Sequence, residues 1–244
     1  LGQKDLHDFM KFFTVSVGDF LDEFFESDLI KAHKAGSAVV GTNLGPRSPG
    51  TAYVLLHHYM GDVDGAVGAW GFPRGGMGAV SGALAGAVQE HGGEIRTNAG
   101  ADQIMVKNGK VTGVRLENGE EILADRVVSN LDAKKTFLGL MDPKDAGEKV
   151  VKAAKRYKSR GSSGKLNIAL NGVPEFTALP KGSELIKGDF HIVDNMEAYE
   201  RGYDEWKDGM WSTNPYVDLL IPTLTDPTMA PPGKHYMTCF VQYC

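Results

Sequence analysis

The sequence predicts a mixed α/β chain, and three observations carry that reading. Apolar residues recur at helical spacing through the first third. Two Asn-Gly pairs, Asn108-Gly109 and Asn118-Gly119, then separate short β-prone runs, the strongest short-range signal for hairpins. After Asn130 helical and strand periods alternate, as expected for helices packed on a mixed sheet.

Taken in order, 5–14 and 17–35 read as helices, the second carrying Phe20, Leu21, Phe24, Phe25 and Leu29 and stopped by Gly36 as its left-handed cap. Ser48-Pro49 opens a third helix containing Tyr53, Leu55, Leu56, Tyr59 and Met60, with proline in the first turn. A glycine-rich loop over 61–78 leads to a helix at 79–91, closed by Gly92-Gly93. The runs 103–106, 110–116 and 121–123 form a three-stranded meander, approached by a strand at 94–97 and followed by another at 125–129. Beyond it, 143–158 and 197–207 read as amphipathic helices, and 165–170, 217–221 and 235–243 as strands. Four prolines keep 222–233 out of regular structure.

Composition excludes several classes. The net charge of −5 does not supply the basic face that neutralises nucleic-acid phosphates. No apolar run approaches the roughly 20 residues that span a bilayer, so no transmembrane segment is expected and a cytoplasmic location is the default reading. Cys239 and Cys244 are the only cysteines, too few for a disulfide framework, and read as free thiols. The chain opens at Leu1 without a starting methionine and closes at Cys244 on a strand-like run, so it reads as a fragment of a longer protein.

Glycine occurs 31 times in 244 residues, about twice its average share of roughly 7%. Gly78, Gly82 and Gly86 recur every fourth residue and leave one helix face bare, which suits the close approach of a ligand or of another backbone; simple packing on a sheet explains it equally well. Gly75-Gly76 ahead of that helix frees its first amides to face a partner. The segment 76–81 misses the dinucleotide fingerprint, with Ser81 at the third glycine and no preceding strand, and 161–165 lacks the spacer of a P-loop. His57 and His58 take opposite helix positions, no His-Glu-x-x-His exists, and no metal site is expected.

The segment 73–78, the Gly-Gly-Glu-Ile at 92–95, the Asn-Gly meander, Ser129-Asn130, and the stretches 165–174 and 225–234 resemble, in that order, the phytoene-desaturase-like branch of the FAD-dependent amine oxidase superfamily. The nearest resemblance is to its pyridine-nucleotide-disulfide-oxidoreductase-domain-containing group. The resemblance implies a two-domain flavoenzyme whose GxGxxG strand and second FAD motif are not in this chain. It assigns 1–73 to a helical part of the substrate domain, 74–135 to a portion of the FAD domain, and 136–244 to the substrate-domain sheet and helices. It places a backbone contact to the FAD adenine at Ala101 and Asp102, the end of a strand approaching the dinucleotide at Ser129-Asn130, and the flavin ring beside Gly75, Gly76 and Met77. Lys165 matches a lysine that holds a water against flavin N5.

The implied chemistry is hydride removal from a small apolar or amine-like substrate, with FAD as acceptor. Phe12, Phe13, Phe20, Phe24, Phe25, Tyr53 and Tyr59 are candidate walls for that substrate, although an ordinary core accounts for them more simply. The isolated chain is expected to bind FAD weakly, to be inactive, and to leave an apolar surface open to self-association. Two alternatives stand beside this reading: a non-catalytic domain that kept the scaffold and binds a ligand or protein, and a hydrolase with an unrecognised nucleophile such as Ser81 or Ser129.

Overall fold

A computed structural model describes residues 2–244. In chain order the elements are α1 (Gln3–Thr14), α2 (Val17–Asp22), α3 (Asp28–Val39), α4 (Thr51–His58), β1 (Asp62–Val63), β2 (Ala66–Val67), α5 (Met77–Glu90), β3 (Ala101–Lys107), β4 (Lys110–Leu116), β5 (Glu121–Leu123), α6 (Pro143–Ala146), α7 (Glu148–Arg156), β6 (Ser163–Leu170), β7 (Phe190–Ile192), α8 (Met196–Lys207), β8 (Tyr216–Leu220) and β9 (His235–Gln242). They fall into two compact units, one of residues 2–82 with Gly161–Cys244 and one of Ala83–Arg160.

The larger unit is built on a four-stranded sheet in the order β6–β9–β8–β7. Every pairing is antiparallel, which corrects the expectation of a mixed sheet. Its core joins α2, α3, α4 and α8 to one sheet face through Val17, Leu21, Ala32, Ala35, Val39, Tyr199, Tyr216 and Tyr243. Small residues on α3 let the rings approach. A β-carbon on Gly36 would sit 2.3 Å from the Tyr216 hydroxyl oxygen. Gly36 is therefore interior to the helix and not its stop. The left-handed cap is Gly41, at φ 74°, just after the C-cap Val40. Gln242, fully buried, donates from its amide nitrogen to the Val39 carbonyl at 2.9 Å, satisfying one of the acceptors a helix end leaves open.

Other differences from the expected elements have local causes. The single helix expected over 17–35 breaks after Asp22, because Ser27 caps a new helix and Lys31 reaches back to Asp22 at 2.7 Å. The third helix begins at Thr51 and not at Ser48, after Gly50 at φ 86°; Thr51 also accepts the buried Val17 N–H at 2.8 Å. The helix expected over 143–158 breaks at Gly147, φ 81°. Within 222–233, prolines start two single 3₁₀ turns, Pro222–Leu224 and Pro227–Met229.

The smaller unit holds the expected meander, β3–β4–β5. Asn108 and Gly109 both take left-handed φ, 53° and 72°, as a two-residue hairpin turn requires. At the second turn the Asn118 side chain accepts the Glu120 N–H at 3.0 Å and Gly119 has φ 87°. Residues 94–97 and 125–129, expected as strands, find no ladder partner among the described residues. An extended run without a neighbour is not a strand, whatever its propensity.

The fit of Tyr216 on Gly36 yields a prediction. Gly36→Ala should lower stability by about 1–3 kcal/mol, because the ring has no free direction of retreat. Tyr216→Phe should cost little, since that buried hydroxyl has no hydrogen-bond partner among the described residues. Denaturant midpoints of the two variants check both; an undisturbed Gly36→Ala would contradict the packing.

Candidate functional site

Three places gather the residues singled out by the sequence. In the larger unit, Gly75 and Gly76 both adopt left-handed backbone, φ 83° and 75°, and turn the chain into α5. Their amides do not face outward as expected. The Gly76 N–H bonds the Pro73 carbonyl at 3.0 Å, and the Gly75 N–H bonds the Asp226 carboxylate at 2.6 Å. The anion that this helix start attracts is thus the chain's own Asp226. The carboxylate is lowered from its ordinary value by the hydrogen bonds from the Gly75 N–H and the Thr228 hydroxyl, with help from the Arg74 charge. Met77 is exposed. A β-carbon on Gly78, Gly82 or Gly86 would meet nothing within 4 Å, so among the described residues no backbone lies against that face.

Lys165, also in the larger unit, is an exposed residue of β6. Register places Lys165 opposite Phe240, Phe240 opposite Asp218, and Asp218 opposite His191, one row across the sheet. That row ends in a hydrogen-bonded network that sequence reasoning missed. The His191 side chain is 7% exposed; Nδ1 bonds the His33 carbonyl of α3 at 3.2 Å and Nε2 bonds Asp189 at 3.0 Å. With Asp189 ionised both ring nitrogens donate in this arrangement, which favours the imidazolium. Ligand atoms of Asp189, His191 and Asp218 lie within 4.8 Å of one another, but they are spent on each other.

The electrostatics follow from that geometry. Burial pushes Asp218 up, and its hydrogen bond to the Asp189 carboxylate adds to this, to about 7, against the opposing pull of His191 and Lys165. Burial alone would lower His191, but the hydrogen bond and charge of Asp189 outweigh it and raise it above its ordinary value. Burial likewise would raise Asp189, but hydrogen bonds from His191 and Asp218 hold it below the usual carboxylate value. His33, its ring tilted against His191 at 4.2 Å between centres, is lowered by burial and by the neighbouring charge. The sequence signal for the network, Asp189 and His191 alternating into the three-residue β7, is too short to stand out from other polar stretches.

In the smaller unit, Ala101 and Asp102 open β3, with Asp102 paired to Arg115 at 2.7 Å across the meander. Ser129 shares a 2.8 Å hydrogen bond with the buried Thr136. The two hydroxyls line a cavity of about 450 Å³ with Ile104, Val111 and Phe137, and neither Ala101 nor Asp102 reaches it. Asn130 is exposed beside it in sequence. Ser129 thus lines the same cavity as Ile104 of β3, while Ala101 and Asp102 are exposed residues at that strand's start, Ala101 in register with Leu116.

The aromatics of the first third are only partly core. Phe20 packs against it, while Phe13, Phe24, Phe25, Tyr53 and Tyr59 are exposed. They run as touching rings, Phe13 on Tyr53 at 4.6 Å and Phe20 between Phe12 and Phe24 at 5.0 Å from each. The His57 and His58 rings, expected apart, lie 5.6 Å from one another, and His58 stacks on Trp70. Cys239 and Cys244 are free, as expected. Among the described residues no helix is long and apolar enough to cross a membrane.

Comparison with known proteins defines the class to which this fold and these loops belong. The flavin containing amine oxidoreductase family matches residues 2–201, and the chain belongs to that family. It is 34% identical over 241 residues to pyridine nucleotide-disulfide oxidoreductase domain-containing protein 2 of Rattus norvegicus, covering 94% of this chain and 41% of that protein. It is 30% identical over 220 residues to a lycopene-forming phytoene desaturase of Pseudescherichia vulneris, covering 89% of this chain and again 41% of the relative. The chain therefore spans about two fifths of the curated relatives it matches. In fold it is similar to the crystal structure of an oxidoreductase from Methanosarcina mazei, with TM-score 0.60, 21% identity, and coverage of 94% of this chain and 47% of that one.

The Asp218 network sets a pH dependence. A carboxyl raised in the folded state binds its proton more tightly there than when unfolded, so stability falls as pH rises from about 4 through about 7. The raised His191 acts in the same direction, and the lowered Asp189 and His33 partly oppose it. Asp218→Asn should therefore gain stability relative to the parent over that range, by about 1–2 kcal/mol after discounting solvent screening, and level off above it. Urea midpoints at several pH values test this; a pH-independent difference would contradict it.

Proposed function

We propose that this chain is the substrate-domain portion, with the adjoining meander, of an FAD-dependent oxidoreductase that removes hydride from an apolar or amine-like substrate. The observation that carries the reading is the Gly75–Gly76 turn in a chain of a flavin-containing family. Two successive glycines turn the chain there and Asp226 orders the turn in advance; Met229 covers the side where a side chain of Gly76 would stand, so a flat ring would meet the turn on its other side. The residues fit part of such a cofactor. Gly75, Gly76 and Met77 would border its ring, and Ala101 and Asp102 would meet its adenine. Ser129 and Asn130 would flank the dinucleotide. When bound, FAD supplies the hydride acceptor.

The protein's own part is positioning and solvent control. Lys165 would hold a water beside the flavin, and the Asp218–Asp189–His191 network fixes the place of the ionisable groups near it. The named relatives point to the substrate class. The phytoene desaturase acts, as its name says, to form lycopene, which favours an extended apolar substrate over an amine. The domain boundaries at 73 and 135 belong to this proposal. A ligand-binding scaffold without catalysis is the second reading, favoured by the absence of any GxGxxG within these 244 residues.

Two outcomes test the proposal. The 244-residue chain alone should purify colourless, while the complete protein should carry stoichiometric flavin that bleaches under anaerobic reduction; a complete protein without flavin would favour the scaffold reading. In the complete protein, Lys165→Met should slow flavin reoxidation by oxygen about tenfold or more with flavin content unchanged. Stopped-flow reoxidation traces identical to the parent's would remove that role from Lys165.

A further inference from the structure

The segment around Asp226 does more than occupy the Gly75 amide. Asp226 lies 151 residues from Gly75 in sequence, yet its Oδ2 accepts that N–H at 2.6 Å. The other carboxylate oxygen, Oδ1, accepts the Thr228 N–H at 3.1 Å and the Thr228 hydroxyl at 2.5 Å. Asp226 is thus the side-chain cap of the 3₁₀ turn Pro227–Met229, with Pro227 fixing the backbone at the first position. One oxygen is tied to its own turn, which aims the other at Gly75.

The same turn supplies an apolar contact. A β-carbon on Gly76 would lie 2.9 Å from Met229 Cε, so the methionine side chain occupies the space a side chain there would need. Four residues, 226–229, therefore provide both a charged tie to Gly75 and a cover over Gly76. Consecutive glycines lose more conformational freedom than any other pair when ordered, and a turn of two left-handed glycines stays defined only if something outside it holds it. The Asp226 carboxylate and Met229 are what hold it. Arg74, next to the turn, favours the ionised carboxylate.

We infer that Asp226 is a positioning residue: through the Gly75 N–H it fixes the glycine turn as a rigid rest for the flavin ring, with Met229 closing the turn's other side. This rests on the reading that the turn borders the flavin. Asp226 acts through the backbone of the turn and takes no part in the chemistry itself.

The test uses the complete, flavin-loaded protein and the variants Asp226→Ala, Asp226→Asn and Thr228→Val. Amide hydrogen exchange over 74–79, the visible flavin spectrum, and the FAD dissociation constant are measured for each. Asp226→Ala should speed exchange at Gly75 about tenfold or more, shift the flavin band, and weaken FAD about tenfold. Asp226→Asn keeps an acceptor without the charge and should fall between Asp226→Ala and the parent. Thr228→Val only loosens the aim of the carboxylate and should shift the same quantities least. Unchanged exchange at 74–79 in Asp226→Ala overturns the inference, because the carboxylate then does not hold the turn. Faster exchange with a parental flavin spectrum and affinity also overturns it, and locates the failure in the reading that the turn meets the flavin. Should Asp226→Ala not fold, Asp226→Asn and Thr228→Val decide by the same pattern.

Discussion

The larger unit depends on the fit of Tyr216 against the bare backbone of Gly36. Where α3 crosses the sheet, any side chain at position 36 would collide with the ring. Because it is glycine, α3 lies low enough for Ala32, Ala35 and Val39 to join the same core and for Gln242 to reach the Val39 carbonyl. Tyr199 stacks on Tyr216 at 4.8 Å and Tyr243 packs beside it, so α8 and β9 are located by the same contact. The stacking also brings α3 over the sheet row that ends at His191, whose ring bonds the His33 carbonyl. Packing at one glycine thereby sets the place of the only histidine–carboxylate network that joins a helix to this sheet among the described residues.

Much of this was legible in advance. The meander was readable to within two residues because Asn108-Gly109 and Asn118-Gly119 encode their turns locally, in the sign of φ and in an Asn side chain that bonds its own loop. The strands β6, β8 and β9 were readable from alternation and β-branched residues. What failed was whatever depends on a distant partner. Gly36 has the local signature of a helix stop, and only Tyr216, 180 positions later, makes it a helix interior. Residues 94–97 and 125–129 have strand composition but no neighbour to pair with. Antiparallel pairing of all four strands was not deducible either, since an intervening helix such as α8 suggests a parallel crossover by default.

The candidate site divides in the same way. The glycine turn was found because consecutive glycines are conspicuous in any sequence, but its amides were assigned to an outside partner. Asp226 was hidden in a proline-rich segment that reads as irregular, although Asp-Pro-Thr is itself a capping signal for a short turn. Asp189, His191 and Asp218 carry no spacing signature, because their proximity arises from β7 pairing with β8. Register, and not sequence distance, assembles that network, and register is what a single sequence specifies least.

On the proposed reading, the turn held by Asp226 is the surface on which the flavin rests. A crystal structure of the complete protein with FAD tests it most directly. The account predicts the isoalloxazine ring in van der Waals contact with the backbone of Gly75 and Gly76, with the Asp226 carboxylate still on the Gly75 amide. A flavin ring bound elsewhere, with that turn open to solvent, would contradict it.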